Sequence, residues 1–339
     1  MSLLPYLHRI VRRENLPEND ARNAMAVVLA GEATTPQIVA FLVALVMKGE
    51  TVDEVVGFAR AMRAAANKVD AGPGEGPLLD TCGTGGDCAS TFNISTIAAF
   101  VVAGAGGRVA KHGNRSISSR CGSADLLEAL GVKVGLSAEE SALAIRELGI
   151  GFLFAPALHP AMRYAQPARL ELKMRTVFNL LGPLANPANA SAQLVGAPSV
   201  PAAELIAEAL ARLGLERGFV VHGSDGLDEV TTTGPTLALE ITRGAIAHHT
   251  LTPGDFGVPQ AETADLRGGD PALNAEIARA VLSGAAGPQR DVVLVNSSAA
   301  LVAIGRARNF REGVALAAES IDSGAAMAKL NAIINWRRL

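Results

Sequence analysis

A short glycine-rich stretch constrains the fold of this chain more than any other feature. Residues 80–87 read Asp-Thr-Cys-Gly-Thr-Gly-Gly-Asp; they follow the apolar residues 77–79 and precede the apolar run 97–102. The first apolar run predicts a buried strand. The second predicts a helix, with Ser95 as its cap and the glycines of 104–107 as its end. A glycine-rich loop between a strand and a helix N-terminus has few side chains and exposes its backbone N–H groups, which is typical of phosphate-binding sites.

Two familiar phosphate loops fit this stretch poorly. It lacks the Gly-Lys-Ser/Thr ending of an ATP-binding loop and the Gly-x-Gly-x-x-Gly spacing of a dinucleotide fold. A tight structural turn remains the alternative, because glycine-rich loops also serve that purpose.

Composition sets the class of protein. A chain of 339 residues, 49% of them hydrophobic, is long enough for one large α/β domain and a smaller one. The net charge of -3 and the pI near 6.1 provide no overall positive potential that would attract nucleic acid or an anionic membrane.

The cysteines and the apolar runs indicate the compartment. Cys82, Cys88 and Cys121 form no Cys-x-x-Cys pair, which favours small buried thiols in a reducing compartment over zinc or disulfides. The longest apolar run, 38–47, is too short for a bilayer, so we expect a soluble cytoplasmic protein.

Helical periodicity predicts four helices up to about residue 66, with a capping box at Thr51 and Glu54. The segment Val69 to Pro77 cannot continue a helix and contains little to bury, so we place a domain boundary there. The sequence thus predicts a helical domain over 1–70 and an α/β domain over 71–339.

Beyond the boundary, short apolar runs alternate with helical ones. This alternation predicts a parallel sheet flanked by helices, with ligands outside the carboxyl ends of the strands. The predicted strands are 78–80, 108–111, 152–154, 194–196, 218–222 and 292–296, with an antiparallel edge hairpin of 236–241 and 245–250.

A second polar block follows the strand predicted at 108–111. Lys111-His-Gly-Asn-Arg-Ser116 and Gly122-Ser-Ala-Asp125 consist almost entirely of phosphate donors and small residues. Lys111 supplies a point charge and Arg115 a planar fork, so two such loops side by side favour a diphosphate-bearing ligand. Alone, this block would be an ordinary solvated loop, and His112 alone would be a structural histidine.

Two further blocks carry charged side chains. Asp228 and Glu229 follow an apolar run, and adjacent carboxylates beside a diphosphate pocket suit Mg²⁺, although a lone pair of this kind is usually a hydrophilic turn. Arg163 and Arg169 are candidates for holding a carboxylate, although composition alone would make them surface arginines.

Taken in order, these blocks resemble the anthranilate phosphoribosyltransferase family of tryptophan biosynthesis. The likeness runs over nearly the whole chain, and no matched motif position departs from the family pattern. The matching residues are Gly83 to Asp87, Asn93 to Thr96, Lys111 to Arg115, and Asp228 with Glu229.

The resemblance implies a magnesium-dependent pentosyltransferase. Its reaction moves phosphoribose from 5-phosphoribosyl 1-diphosphate (PRPP) to the amine of anthranilate, giving N-(5-phosphoribosyl)anthranilate and diphosphate. The implied fold is a small all-helical N-terminal domain, to which a segment at about 164–188 returns, and a larger α/β domain with a central, mostly parallel sheet flanked by helices. A homodimer formed through the helical domain is also implied.

The resemblance implies the site residues as well. No single residue acts as acid or base, and two Mg²⁺ ions per monomer are implied, held by Ser95, Asp228 and Glu229. The anthranilate site would consist of Gly83, His112, Asn114, His159 and Arg169, with Arg169 pairing the substrate carboxylate. PRPP would be held by Gly83, Thr84, Gly85, Gly86, Asp87, Asn93, Ser95, Thr96, Lys111 and Ser123.

Two other functions remain open at this point. A pyrimidine nucleoside phosphorylase shares the architecture, but it would leave Asp228 and Glu229 without a purpose. A non-catalytic relative that binds nucleic acid should carry basic stripes, which a net charge of -3 does not favour.

Overall fold

Four helices open the chain, as the sequence predicts. In the computed structural model, which describes residues 2–85, 90–116 and 120–336, they are α1 (Leu4–Val11), α2 (Glu18–Leu29), α3 (Thr35–Lys48) and α4 (Val52–Ala65). The expected capping box starts α4, because the Thr51 hydroxyl accepts from the Glu54 N–H and the Glu54 carboxylate accepts from the Thr51 N–H. The core of this bundle contains an edge-to-face pair, Phe41 and Phe58, whose ring centroids lie 5.9 Å apart.

An α/β domain follows. Its strands are β1 (Leu78–Gly83), β2 (Arg108–Gly113), β3 (Ile150–Phe154), β4 (Ala192–Gly196), β5 (Arg217–Gly223), β6 (Thr236–Thr242) and β7 (Ala245–Leu251). Its helices are α5 (Ile94–Gly104), α6 (Ser123–Leu130), α7 (Ala138–Leu148), α8 (Ala155–Leu158), α9 (Gln166–Leu172), α10 (Val177–Leu184), α11 (Val200–Arg212), α12 (Pro253–Phe256), α13 (Pro271–Leu282), α14 (Pro288–Ala303), α15 (Phe310–Asp322) and α16 (Ala325–Asn335), with 3-10 turns at Pro160–Tyr164 and Thr263–Leu266.

The sheet is mostly parallel and has the order β3-β2-β1-β4-β5-β6-β7. Strands β1 to β5 pair in parallel, whereas β6 and β7 are antiparallel and form the edge hairpin that the sequence predicts. The chain runs outward from β1 through β2 to β3 and then returns to place β4 on the other side of β1. The connections after β1 and β4 therefore leave in opposite directions and open a crevice at their carboxyl ends.

The segment from the 3-10 turn at Pro160–Tyr164 to α10 packs against the N-terminal helices. Helix α9 contacts α3, and α10 contacts α4. The Arg63 guanidinium, on α4, donates to the carbonyl of Leu184 at 2.6 Å. These contacts place α9 and α10 against the helical bundle, and α10 also contacts β1 and β2. The exact division of the chain into domains stays a prediction.

Three sequence expectations need correction. Residues 292–296 lie in the buried helix α14 and not in a strand, because a short apolar run has the same appearance in both structures. Helix α5 has Asn93 at its N-cap, and Ser95 lies inside its first turn. The linker is also better anchored than expected: Val69 and Ala71 are buried, and Arg108 donates to the carbonyl of Ala71 at 2.9 Å.

Two other expectations concern the cysteines and the membrane. Cys82 and Cys121 are buried, as predicted, and Cys88 lies outside the described residues. None of the helices in the part of the chain that the structure describes has the length and apolar character needed to cross a membrane.

Candidate active site

The crevice between β1 and β4 is crossed by the loop that carries Asp228 and Glu229. Gly83 and Gly196, which end these two strands, are register partners. A Cβ atom on Gly196 would overlap the main-chain oxygen of Asp228, and one on Gly83 would lie 2.6 Å from Asp228 Oδ2. The crossing therefore requires glycine at Gly196, whereas a side chain at Gly83 would displace the Asp228 carboxylate. It places both carboxylates at the glycine-rich loop.

Each of these carboxylates accepts a backbone N–H from the predicted phosphate-binding loop. Asp228 Oδ2 accepts from Gly85 N at 2.9 Å, and Glu229 Oε1 accepts from Ser95 N at 3.1 Å, in the first turn of α5. The positive end of the α5 dipole favours an anion there. Asp225, the third carboxylate of this block, binds the hydroxyls of Thr231 and Thr233 instead.

Lys111 is a buried cation of this crevice. Its side chain comes from β2, is buried, and donates to the carbonyl oxygen of Thr81 and to Ser95 Oγ at 3.3 Å. Burial lowers the pKa of the ammonium, while the nearby carboxylates, Asp80 above all, oppose that shift. The lysine thus lies where the glycine-rich loop and the start of α5 meet.

An amide relay joins the first loop to the second. Asn93 donates from Nδ2 to the carbonyl of Cys121 at 3.0 Å, and its Oδ1 accepts from Asn274 Nδ2 at 3.0 Å. Asn274 Oδ1 accepts in turn from the N–H of Gly269 at 2.7 Å. Asn93, predicted to bind PRPP, therefore also holds the backbone of the neighbouring loop in place.

Arg115 serves the second loop differently from the way the sequence suggests. Its guanidinium pairs with Glu128 at 2.6 Å and with Asp125 at 3.1 Å, so its planar fork already has carboxylate partners. Asp125 also accepts from the N–H groups of Ser116 and Gly122. These contacts define the loop that carries Asn114 and ends at Ser123, the first residue of α6.

Two histidines lie side by side on the acceptor side of the predicted site. The rings of His112 and His159 are 5.1 Å apart between centroids, and both Nε2 atoms are buried without a hydrogen-bond partner in the described part of the protein. His112 Nδ1 lies 3.2 Å from the carbonyl oxygen of Gly182. Burial lowers the pKa of His112 to about 3 and that of His159 to about 4, so both rings are neutral at pH 7.

Arg169 and Arg163 have different surroundings. The Arg169 guanidinium lies 5.3 Å from the ring centroid of Phe178, and among the described residues it has no hydrogen bond or ion pair from its side chain. Burial lowers its pKa. Arg163 is exposed and bonds to the hydroxyl of Tyr164 at 2.7 Å. Of the two candidates, Arg169 is the half-buried one, and no carboxylate in the described part of the chain pairs with it.

The remaining predicted residues differ in exposure. Thr84 donates its N–H to the carbonyl of Gly196 at 3.1 Å, and Asn114 is exposed at the start of the second loop. Thr96 is buried, and its hydroxyl has no partner among the described residues. Gly86 and Asp87 lie outside the described residues.

Sequence reasoning missed several residues that hold the site together. Asp80 is fully buried and accepts from the N–H of His112 at 3.0 Å and from Asn186 Nδ2 at 2.8 Å, which fixes the start of the second block. Arg175, between α9 and α10, donates to the carbonyl of Gly85 at 2.7 Å. Asp80 adjoins a recognised motif, but no local pattern distinguishes Asn186 or Arg175 from ordinary loop residues.

The oxygen-rich donor set fits Mg²⁺. Across residues 2–85, 90–116 and 120–336, no three His, Cys, Asp or Glu side chains gather into a metal-binding group. Two adjacent carboxylates and a serine hydroxyl are the sparse protein contribution that Mg²⁺ usually takes, since water and substrate phosphates complete its shell.

This crevice, with its bare loops, paired carboxylates and helical module, defines a transferase that acts on a phosphorylated sugar. The family model described as "Glycosyl transferase family, a/b domain" matches residues 75–327, and "Glycosyl transferase family, helical bundle domain" matches residues 4–66. A curated relative from Solibacter usitatus, an anthranilate phosphoribosyltransferase, is 65% identical over 99% of both chains.

Solved structures agree with this likeness. The anthranilate phosphoribosyltransferase of Thermus thermophilus superposes with a TM-score of 0.91 at 45% identity, covering 97% of this chain and 98% of that one. The Saccharomyces cerevisiae enzyme in complex with PRPP and Mg has a TM-score of 0.91 at 29% identity, covering 98% and 97%. The yeast enzyme has also been solved in complex with 4-fluoroanthranilate.

The chain belongs to the anthranilate phosphoribosyltransferase family. The resemblance recognised in the sequence is thereby confirmed, as are the fold class and the assignment to the pentosyltransferases.

The two neutral histidines predict how stability depends on pH. Below pH 6.5 the unfolded chain protonates both rings, whereas the folded protein does not until about pH 4 and lower. The free energy of unfolding is therefore highest above pH 6.5. Below that pH it falls by up to about 1.4 kcal/mol per pH unit for each histidine. We expect His159→Gln to reduce this loss between pH 7.5 and 5, measured as the free energy of unfolding in guanidinium.

The matched control is His248→Gln, at an exposed position on β7. The control should keep the wild-type pH slope. An unchanged slope in His159→Gln would contradict the assignment of a buried neutral ring.

Proposed function

We propose that this chain transfers phosphoribose from PRPP to the amine of anthranilate, releasing diphosphate, as a step of tryptophan biosynthesis. The observation that carries the proposal is the placement of Asp228 and Glu229 on the N–H groups of Gly85 and Ser95. This arrangement joins metal-binding oxygens to a phosphate-binding backbone. A nucleoside phosphorylase has no diphosphate to bind, and so would not need it.

The donor end of PRPP lies against the glycine-rich loop and the start of α5 in this proposal. Backbone N–H groups and the neutral side chains of Thr84 and Ser95 bind phosphate oxygens, and Lys111 adds the charge. Gly83, Gly85, Gly86, Asp87, Asn93, Thr96 and Ser123 complete the donor site that the sequence predicts.

We assign two Mg²⁺ ions to the region around Ser95, Asp228 and Glu229. When bound, the ions neutralise the diphosphate and so ease its departure as a leaving group. The chain's own contribution is to hold the carboxylates against the loop, which lies on a helix N-terminus and a glycine-lined strand end.

Anthranilate lies between His112, Asn114, His159 and Arg169, next to Gly83. Its carboxylate pairs with Arg169, whose half-buried guanidinium has no carboxylate partner among the described residues. The two neutral imidazoles face the aromatic acceptor with buried Nε2 atoms that lack partners in the described structure. A ligand that forms hydrogen bonds with these atoms removes the free-energy cost of burying them without partners.

The reaction needs no strong base, because an aryl amine is already neutral at pH 7. The difficulty lies in the departure of diphosphate and in the cation-like sugar that results. Positioning and electrostatic stabilisation therefore carry the catalysis, and no single acid or base residue is assigned.

A homodimer forms through the helical domain in this proposal. Helices α1, α3 and α9, with the segment directly after α9, carry six large apolar side chains that are exposed: Leu4, Val11, Val46, Met47, Leu170 and Met174. Helix α3 contacts both α1 and α9. An exposed apolar surface of this kind typically marks a protein interface.

Diphosphate release tests the reaction as a whole. With PRPP present, we expect release only when anthranilate and Mg²⁺ are both added, because the carboxylates bind the donor through the metal and anthranilate is the nucleophile. A coupled diphosphate assay measures it. Release without anthranilate would indicate hydrolysis, and phosphorolysis of a nucleoside would indicate a phosphorylase.

Replacing Arg169 separates the two substrates. We expect Arg169→Ala to raise the KM for anthranilate roughly 10- to 100-fold, because a charge-assisted contact of about 1.5–3 kcal/mol is lost, with little change in the KM for PRPP. Steady-state kinetics measures both constants. The exposed neighbour variant Arg163→Ala is the control, and an equal loss for both substrates in Arg169→Ala would end the assignment.

Removing the paired charges tests the metal site. We expect Asp228→Asn with Glu229→Gln to abolish turnover while the protein stays folded, because both side chains are only half-buried. Diphosphate release and circular dichroism measure the two effects. Glu276→Gln, which changes an exposed carboxylate on α13 instead, is the comparison, and it should retain turnover. Full activity of the double variant at ordinary Mg²⁺ concentrations would overturn the proposal.

A further inference from the structure

A buried amide lies directly behind the carboxylate pair. Asn296, in the middle of α14, is fully buried. Its Oδ1 accepts from the N–H of Val230 at 2.9 Å, and its Nδ2 donates to the carbonyl of Val230 at 2.8 Å. The same Nδ2 donates to the carbonyl of Val292, one turn earlier, at 2.8 Å. The amide therefore holds both backbone groups of the residue that follows Glu229.

The loop between β5 and β6 contains no helix or strand that could hold this backbone. On its other side it is fixed by the N–H of Gly223, which donates to the carbonyl of Leu227 at 2.8 Å, and by Asp225, which accepts from the N–H of Leu227 at 3.1 Å. Asp228 and Glu229 thus lie between two anchored points, Leu227 and Val230. Of these two anchors, only the one at Val230 depends on a side chain from a different element of the fold.

The side chain of Val230 is packed in the core, but it is apolar and cannot satisfy the hydrogen bonds of its own main chain. Without the amide, the N–H and C=O of Val230 would lie in an apolar core without partners, and such groups move toward water when the backbone permits it. Movement of Val230 displaces Glu229, because the two residues share a peptide bond. The contact of Glu229 Oε1 with the N–H of Ser95 would be lost with it.

We propose that Asn296 is a positioning residue for the metal-binding pair Asp228 and Glu229, acting through the backbone of Val230. The inference rests on the proposed magnesium site. It assigns to α14 the function of holding the acidic loop at the carboxyl end of the sheet, in addition to covering the sheet.

Metal binding and stability distinguish this role from a purely structural one. The variants are Asn296→Leu, which has a similar shape and removes all three hydrogen bonds, and Asn296→Asp, which keeps the acceptor but replaces the donor. The full-length protein is titrated with Mn²⁺ in the presence of PRPP, and bound metal is measured by electron paramagnetic resonance. The Mg²⁺ dependence of turnover, the KM for anthranilate and the midpoint of unfolding are measured on the same samples.

We expect both variants to bind Mn²⁺ roughly 10- to 100-fold more weakly, as is usual when a residue that orients a metal ligand is lost. The KM for anthranilate should stay within about twofold of the wild-type value. Should Asn296→Leu fail to fold, Asn296→Asp decides the question. The control is Ser297→Ala on the same helix, which removes a buried hydroxyl without a partner among the described residues.

Unchanged metal affinity in a folded Asn296 variant, with only a lower midpoint of unfolding, would overturn the inference. Glu229→Gln separates this result from a failure of the magnesium site itself. If Glu229→Gln loses Mn²⁺ and the Asn296 variants keep it, the inference about Asn296 alone is wrong. If Glu229→Gln binds Mn²⁺ as the wild type does, the proposed site is wrong.

Discussion

The close crossing of the acidic loop over two strand ends is the constraint on which the site depends. Gly83 and Gly196 permit it because neither has a side chain, and the main chain of Asp228 occupies the space that a Cβ at Gly196 would need. The crossing lies at the point where the connections after β1 and β4 diverge. Sheet order and two glycines together therefore determine where the carboxylates meet the phosphate-binding backbone.

The protein maintains several polar groups in states that cost stability. Lys111 is buried beside a backbone carbonyl, Arg169 is half-buried without a carboxylate partner in the described structure, and two histidines are buried with partnerless Nε2 atoms. Each arrangement is unfavourable in the free protein, because charged and polar groups lose hydration. Buried polar groups are normally satisfied, so these perturbed side chains support the proposal of a ligand site at the residues that the sequence predicts.

The sequence predicts those parts of the fold that depend on local patterns. The sequence of an apolar run, a glycine-rich stretch and a second apolar run predicts β1, the loop and α5. Two short apolar runs around Thr242-Arg-Gly predict the hairpin of β6 and β7. The interpretation of 292–296 as a strand was wrong, because buried helices and buried strands share continuous apolar runs.

The amide contacts of the site could not be predicted in this way. Asn93 and Asn274 are separated by 181 residues, Asp80 and Asn186 by 106, and Val230 and Asn296 by 66. An asparagine within a helical or loop segment carries no signal for its distant partner. The residues of the proposed donor and metal sites lie in recognisable motifs, whereas the residues that hold those motifs in place become visible only once the chain is folded.

Charge balance gives a further reason for the proposed metal dependence. Among the described residues, Lys111 and Arg175 bring positive charge to the crevice, whereas Asp80, Asp228 and Glu229 bring carboxylates. These carboxylates match the cations, so the protein alone offers no net positive charge that would compensate a diphosphate. In the proposed function, Mg²⁺ held by the acidic pair would supply that charge. The metal would then be needed for binding PRPP as well as for the release of diphosphate.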